Sequence, residues 1–113
     1  MWSKELQDRM WNEIIPSLEK ELFQVNDHIA RNPEIGSAEF ETSALLVKTL
    51  RSHGVEVEYP FGGLPTAFRA ILHPEGKKKA AWLAEYDALP GIGHGCGHCA
   101  SGTASLLAFL AVK

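Results

Sequence analysis

Cysteine is scarce in this 113-residue chain, which has two, Cys96 and Cys99. Two thiols are too few for the multi-bridge scaffold that small secreted domains rely on. Long apolar runs are missing too: no stretch approaches the ~20 residues a helix needs to cross a bilayer. The opening Met1-Trp2-Ser3-Lys4-Glu5 lacks the charged-then-apolar layout of a secretory leader, so a cytoplasmic protein without membrane partners is expected. Nor is there an excess of positive charge. The formal charge is −3, and binding to phosphate backbones needs clustered Lys and Arg, which argues against nucleic acid as a partner. The one basic run, Lys77-Lys78-Lys79, follows Gly76 and reads as a solvated turn. There is no internal repeat and no low-complexity tract.

What is present is ordinary globular composition, 45% hydrophobic and 22% charged. The length suits one domain spanning 1–113. Residues 2–31 place Leu6, Met10, Ile14, Ile15, Leu18, Leu22, Val25 and Ile29 at helical spacing. Pro16 is expected to break or kink this run, because it has no N–H and crowds the preceding turn. Asn32-Pro33 stops it. Gly36-Ser37 opens a second predicted helix carrying Leu45, Leu46, Val47 and Leu50, with a C-cap at Gly54.

The pattern then changes to period two at Val55-Glu56-Val57-Glu58-Tyr59, a strand. A loop covers 60–65, a second strand 67–72, and a turn 73–76. Ala80-Ala81-Trp82-Leu83-Ala84 is continuously apolar, as expected of a strand buried on both faces. After a glycine-rich turn, 91–97, the small and apolar residues of 100–112 read as a buried helix. The predicted order is helix, helix, strand, strand, strand, helix, an α/β sandwich with mixed strand directions.

One segment concentrates chemical groups, and function has to be argued from such a site rather than from the fold. The third predicted strand ends in Glu85 and Asp87. A glycine loop then presents His94, Cys96, His98 and Cys99. Ligand sites in α/β proteins favour loops at the carboxyl ends of strands. Thiolate and imidazole are both good zinc donors, and the glycines flanking Cys96 let the backbone bend tightly enough to aim Cys96 and His98 at one ion. Glu85 and Asp87 are two apart, so on an extended backbone they share a face. Either suits a metal ligand or a group orienting a ligating histidine. Single residues of these types are usually structural: a lone Cys beside an apolar helix is a small hydrophobe, and a strand-end carboxylate is a solvated group or a helix cap. Two Cys and two His within six residues favour metal binding, with thiol redox chemistry and no chemistry at all left open.

Two other motifs fit poorly. Cys96-Gly97-His98-Cys99 matches the C-x-x-C of disulfide isomerases, but thioredoxin-like domains place that motif early, and Gly95 stands where those enzymes resemble one another in having tryptophan. A dinucleotide loop starting at Gly91 or Gly93 fails at its last glycine, which is Cys96 or His98.

Three separated stretches together resemble the peptidase M20 family of metal-dependent amidohydrolases. They are Ile29-Ala30-Arg31-Asn32-Pro33-Glu34-Ile35-Gly36 with Glu39-Phe40-Glu41-Thr42-Ser43-Ala44; Ala84-Glu85-Tyr86-Asp87-Ala88-Leu89-Pro90; and Gly93-His94-Gly95-Cys96-Gly97-His98 with Gly102-Thr103-Ala104. Their order and spacing match over about residues 20–113, the N-terminal portion of such an enzyme. The subgroup resembled includes aminoacylase-like, carboxypeptidase-like and aminobenzoyl-glutamate hydrolases. The resemblance implies hydrolysis of amide bonds in peptides or N-acyl amino acids. It implies Cys96 and His98 as ligands of a divalent centre, zinc or manganese, with two ions in the full family site. It implies Asp87 as an active-site carboxylate, while Glu85 stands where other branches carry a ligating histidine. Such a metal lowers the pKa of a bound water and polarises the substrate carbonyl, and a glutamate takes the water's proton.

The chain departs from that family at Cys99, where Asp or Asn is usual, and at Ala100 and Ser101, where larger apolar residues are usual. It is also shorter than family members, whose general base, further ligands and lid domain lie later in the sequence. Little or no hydrolase activity is therefore expected of these 113 residues alone, and the apolar end of the last helix suggests a homo-oligomer. The rival readings are a small metal- or thiol-redox module built on Cys96-x-x-Cys99, and an interaction domain without chemistry.

Overall fold

The computed structural model describes residues 3–113. Met1 and Trp2, which open the N-terminal stretch read above for a leader and the first predicted helix, lie outside the described residues. Helix α1 (Lys4–Arg9) is capped by Ser3, whose hydroxyl accepts the Leu6 N–H at 3.2 Å. A π-helical turn, Met10–Ile14, leads into α2 (Ile15–Arg31). Pro16 explains the turn. It cannot donate to a carbonyl one turn back, and widening the preceding turn accommodates the ring without ending the helix. The proline thus distorts the run and leaves it continuous.

Helix α2 ends at Asn32, whose side-chain amide donates to the His28 carbonyl at 2.8 Å. Helix α3 (Phe40–Ser52) starts three residues later than the sequence suggests, because the Ala38 N–H closes a turn onto the Ile35 carbonyl in which Ser37 has φ 67°. Its end matches expectation. Gly54 adopts φ 78° and donates to the Arg51 carbonyl, while Val55 donates to Leu50, the paired bonds of a Schellman cap.

Strand formation is much more limited than expected. The first two predicted strands survive as β1 (Val57–Glu58) and β2 (Arg69–Ala70), paired antiparallel with Val57 opposite Ala70. The third does not form. Residues 80–84 are extended but join no ladder, and Leu83 is 86% exposed. A strand needs a neighbour for its main-chain groups, and among the described residues no main chain pairs with these five. The helix-rich α/β character stands; the three-strand order does not. The parallel bridge of Ile35 with Ala88 is isolated, so among the described residues the only strands are the antiparallel pair and the expected mixed directions are not seen.

The core is helical. Leu18, Leu22, Val25 and Ile29 of α2 pack with Leu46 and Leu50 of α3 and with Leu106 and Leu110 of α4 (His98–Ala111). The first four recur at intervals of three or four, one stripe of an amphipathic helix. No helix among the described residues is long and apolar enough to cross a membrane.

Candidate functional site

Helix α4 builds the site by acting as a rail for the extended segment before it. The segment runs antiparallel to α4, held at successive turns. Trp82 meets Phe109 edge-on, with ring centres 6.1 Å apart. The Ser105 hydroxyl donates to the Leu83 carbonyl at 2.6 Å. The Glu85 carbonyl lies against Gly102, where an added Cβ would sit 2.5 Å from the oxygen. At the start of α4, His98 meets the end of the segment. Two residues of extended chain span about 6.6 Å and one helical turn 5.4 Å, so each second segment residue reaches roughly the next turn. That register carries Glu85 and Asp87 to the N-terminal end of α4.

There the two carboxylates engage opposite sides of one imidazole. Asp87 Oδ1 is 2.8 Å from His98 Nδ1, and Glu85 Oε2 is 3.1 Å from His98 Nε2. The shared face expected for Glu85 and Asp87 is realised at this ring. The hydrogen bond to Asp87 raises the His98 pKa above its ordinary value; burial opposes the rise, and the charges of Asp87 and Glu85 add to it. Between the two acids, Tyr86 faces the interior. It stacks on Phe68 at 5.9 Å and donates to the Thr66 carbonyl. Burial pushes its hydroxyl up to about 12, with the charges of Glu39 and Tyr59 contributing.

The loop between Asp87 and α4 is a chain of tight turns. Leu89 and Gly93 exchange main-chain hydrogen bonds, Gly97 donates to the His94 carbonyl, and Gly97 caps α4 at φ 81°. An L residue rarely adopts that backbone. Cys96 is exposed on this loop, with its thiol 3.8 Å from the Asp87 carbonyl. Cys96 and His98 thus both reach Asp87, one at its main chain and one at its carboxylate. Cys99 differs: it is half-buried against the hydrophobic core. His94 has both ring nitrogens buried, and neither has a hydrogen-bond partner among the described residues. Burial lowers its pKa, the nearby His98 lowers it further, and Asp87 partly offsets both.

The donor set can be tested against a divalent ion. Sulfur, imidazole and carboxylate suit zinc and neighbouring transition metals. A separation of 3.1 Å between Glu85 Oε2 and His98 Nε2 lets both bind one ion through bonds of ~2.0–2.2 Å. The Asp87 contact to Nδ1 is the outer-shell carboxylate that ligating histidines usually have. Among the described residues, no three His, Cys, Asp or Glu side chains gather around one point fit for a metal. Two donors, Glu85 Oε2 and His98 Nε2, do come together. A separate cavity of about 180 Å³, lined by Ser37, Glu39, Leu64, Pro65, Thr66, Ala67 and Tyr86, holds none of the predicted site residues.

Sequence reasoning missed two supports of the site. One is Gly102. A glycine inside a predicted helix costs about 1 kcal/mol relative to alanine, a signal that something packs closely there. The other is Glu34, whose main-chain carbonyl accepts the Ala88 N–H at 2.7 Å beside Asp87. Glu34 belongs to the stretch 29–36 that resembles the M20 family, but nothing in its local pattern indicates this contact.

Known proteins with related sequences are hydrolases. The chain is 37% identical over 106 residues to a subunit of the p-aminobenzoyl-glutamate hydrolase of Escherichia coli, covering 79% of this chain and 22% of that protein. It is 35% identical over 109 residues to thermostable carboxypeptidase 2 of Saccharolobus solfataricus, covering 83% and 27%. With N-acetyl-L-cysteine deacetylase of Bacillus subtilis it shares 34% over 99 residues, covering 74% and 23%. No family model matches the chain. It spans about a quarter of the length of these relatives.

Proposed function

We propose that this chain, which belongs to the M20-family amidohydrolases, supplies one side of a divalent-metal centre that hydrolyses amide bonds of peptides or N-acyl amino acids. The observation that carries the reading is the His98 ring held between Asp87 and Glu85. Asp87 accepts from Nδ1, which leaves the Nε2 lone pair available on the side of Glu85. His98 and Cys96 would hold the ion, with Glu85 as a further carboxylate donor. A bound zinc or manganese supplies Lewis acidity to the amide carbonyl and lowers the pKa of a water. Asp87 keeps the imidazole oriented, and Glu85 places negative charge beside Nε2. A full family centre has two ions, and these residues account for part of one. By itself the chain is expected to turn over little or no substrate. A peptidase assay with added zinc or manganese checks this, and robust turnover would refute it.

The environments of the two thiols favour this reading over a thiol-redox module. Cys96 is exposed on the loop, whereas Cys99 packs against the core. The exposed Leu83 and Ile92 support self-association of the chain, and its low cysteine count suits a reducing cytoplasmic setting. The deciding experiment is a zinc titration of the reduced chain against a chromogenic chelator. Cys96→Ala and His98→Ala should each weaken binding, and Cys99→Ala should leave it unchanged. Equal loss in Cys96→Ala and Cys99→Ala would instead make the thiol pair the binding unit.

A further inference from the structure

Glu34 lies more than fifty residues before the glycine loop, yet an unbroken run of contacts joins it to His98. Its carboxylate sits on the N-terminus of α3: Oε1 accepts the Thr42 N–H at 2.6 Å and Oε2 accepts the Glu41 N–H at 3.1 Å. The residue at the N-cap position, Glu39, makes no side-chain cap bond, so Glu34 satisfies first-turn amides that the helix otherwise leaves open. Its main-chain carbonyl takes the Ala88 N–H at 2.7 Å, and Ile35 extends that contact as a parallel bridge to Ala88. Ala88 follows Asp87, and Asp87 holds His98 Nδ1 at 2.8 Å.

The clamp has consequence because its surroundings are sparse. Among the described residues, the main chain of 80–86 pairs with no other main chain, and the segment is tied to α4 by the Ser105–Leu83 bond and by packing. On the far side of Asp87, the main chain of Leu89 bonds, among the described residues, only within its own loop, to Gly93 and Ile92. Tyr86 anchors the segment through its side chain, and the Ala88–Glu34 bond is the main-chain bond, among the described residues, that ties the backbone beside Asp87 to a part of the chain outside its own loop.

We propose that Glu34 is a positioning residue: its carboxylate, docked on α3, fixes its own carbonyl, which clamps Ala88 and so holds the Asp87 carboxylate on His98. Treating His98 as functional rests on the metal reading above, but the clamp itself can be read without a metal. A plain helix cap would contribute stability and leave the His98 ring untouched.

The test is long-range nitrogen NMR of the reduced 113-residue chain at one fixed pH, with the His98 ring assigned through His98→Asn. In the parent chain, Nδ1 should carry a proton shifted downfield by Asp87. Glu34→Ala should remove that shift and speed exchange of the proton about five- to thirtyfold, the factor that losing a typical cap corresponds to. Glu34→Gln keeps an acceptor and should largely rescue the signal. Glu34→Asp is too short for both amides and serves if the alanine variant does not fold; it should show a smaller change in the same direction. Thr49→Ala, further along α3, should lower the melting temperature and leave the ring proton in place. An unaltered ring in Glu34→Ala and Glu34→Asp, an equal change in Thr49→Ala, or no Asp87-bound ring proton in the parent chain overturns the proposal. A chain that shows the Glu34 effect but takes up no zinc keeps the clamp and loses the metal reading.

Discussion

Two apolar stretches of this chain have opposite fates. In α3, Leu46 and Leu50 are almost wholly buried. In the run Ala80–Ala84, a comparably apolar stretch, Leu83 is 86% exposed. The difference lies in the main chain. A helix satisfies its own N–H and C=O groups, so it can bring its side chains against any apolar surface it meets. An extended segment must borrow partners from a neighbour, and apolar side chains alone do not supply them. The lesson is that hydrophobicity marks what wants to be buried, while the backbone decides whether it can be.

The sharpest way to break this comparison is a matched pair of leucines. Leu46→Ala should cost ~2–5 kcal/mol, the usual range for opening a buried cavity. Leu83→Ala should stay within ~0.5 kcal/mol, as for most surface changes. Denaturant unfolding of both variants measures the gap, and a large loss at Leu83 would mean the extended run is covered in solution.

Next in size is Gly102→Ala, which tests how closely the two regions approach. Its new Cβ would stand 2.5 Å from the Glu85 carbonyl, and the main chain must shift. Overpacking of this kind costs ~1–3 kcal/mol, and the shift should carry Glu85 away from His98. Thermal melts, together with the His98 ring shifts, check both effects. A melt equal to that of the parent chain would show that α4 and the segment do not touch at that point.

Tyr86 joins the exposed segment to the interior. Tyr86→Phe should cost ~1 kcal/mol by leaving the Thr66 carbonyl without its donor. In an ultraviolet titration, one of the two tyrosines should ionise near 12, and Tyr86→Phe should abolish that late phase. Because the folded value is raised, this contribution to stability is lost as pH rises from about 10 through about 12. Two tyrosines ionising together near their ordinary value would contradict the burial.

The smallest effect concerns acid. Burial raises the Glu34 pKa, but the hydrogen bonds from Thr42, Glu41 and Phe40 together outweigh it, and the net shift is downward from 4.5. A depressed carboxyl contributes stability that is present above its unfolded value and is lost as pH falls through its folded one. The parent chain should therefore exceed Glu34→Gln by ~0.3–1 kcal/mol near neutrality, the effect of a negative charge at a helix N-terminus, with the gap closing below about pH 4.5. Melting temperatures of both proteins across that window provide the measure.

Much of the helical part was legible in the sequence because its signals are local. The α2 stripe, the stop at Asn32-Pro33 and the cap at Gly54 each follow from a few neighbouring residues. The α3 start was misplaced because the carboxylate that caps it comes from Glu34, eight residues before Thr42. Of the candidate site, the residue types and the shared face of Glu85 and Asp87 were readable. Their meeting point on His98 was not, since it depends on the register of the segment along α4.

The sequence by itself therefore determined the helices, the C-cap at Gly54, the tight glycine turns and the cluster of donors at 85–99, because each follows from propensity and spacing over a few residues. Only the tertiary structure decided that Ala80–Ala84 lies unpaired, that Gly102 makes room for the Glu85 carbonyl, and that Glu34 reaches both α3 and Ala88. Those outcomes depend on which main-chain groups find partners far away in the chain, and no local pattern records that.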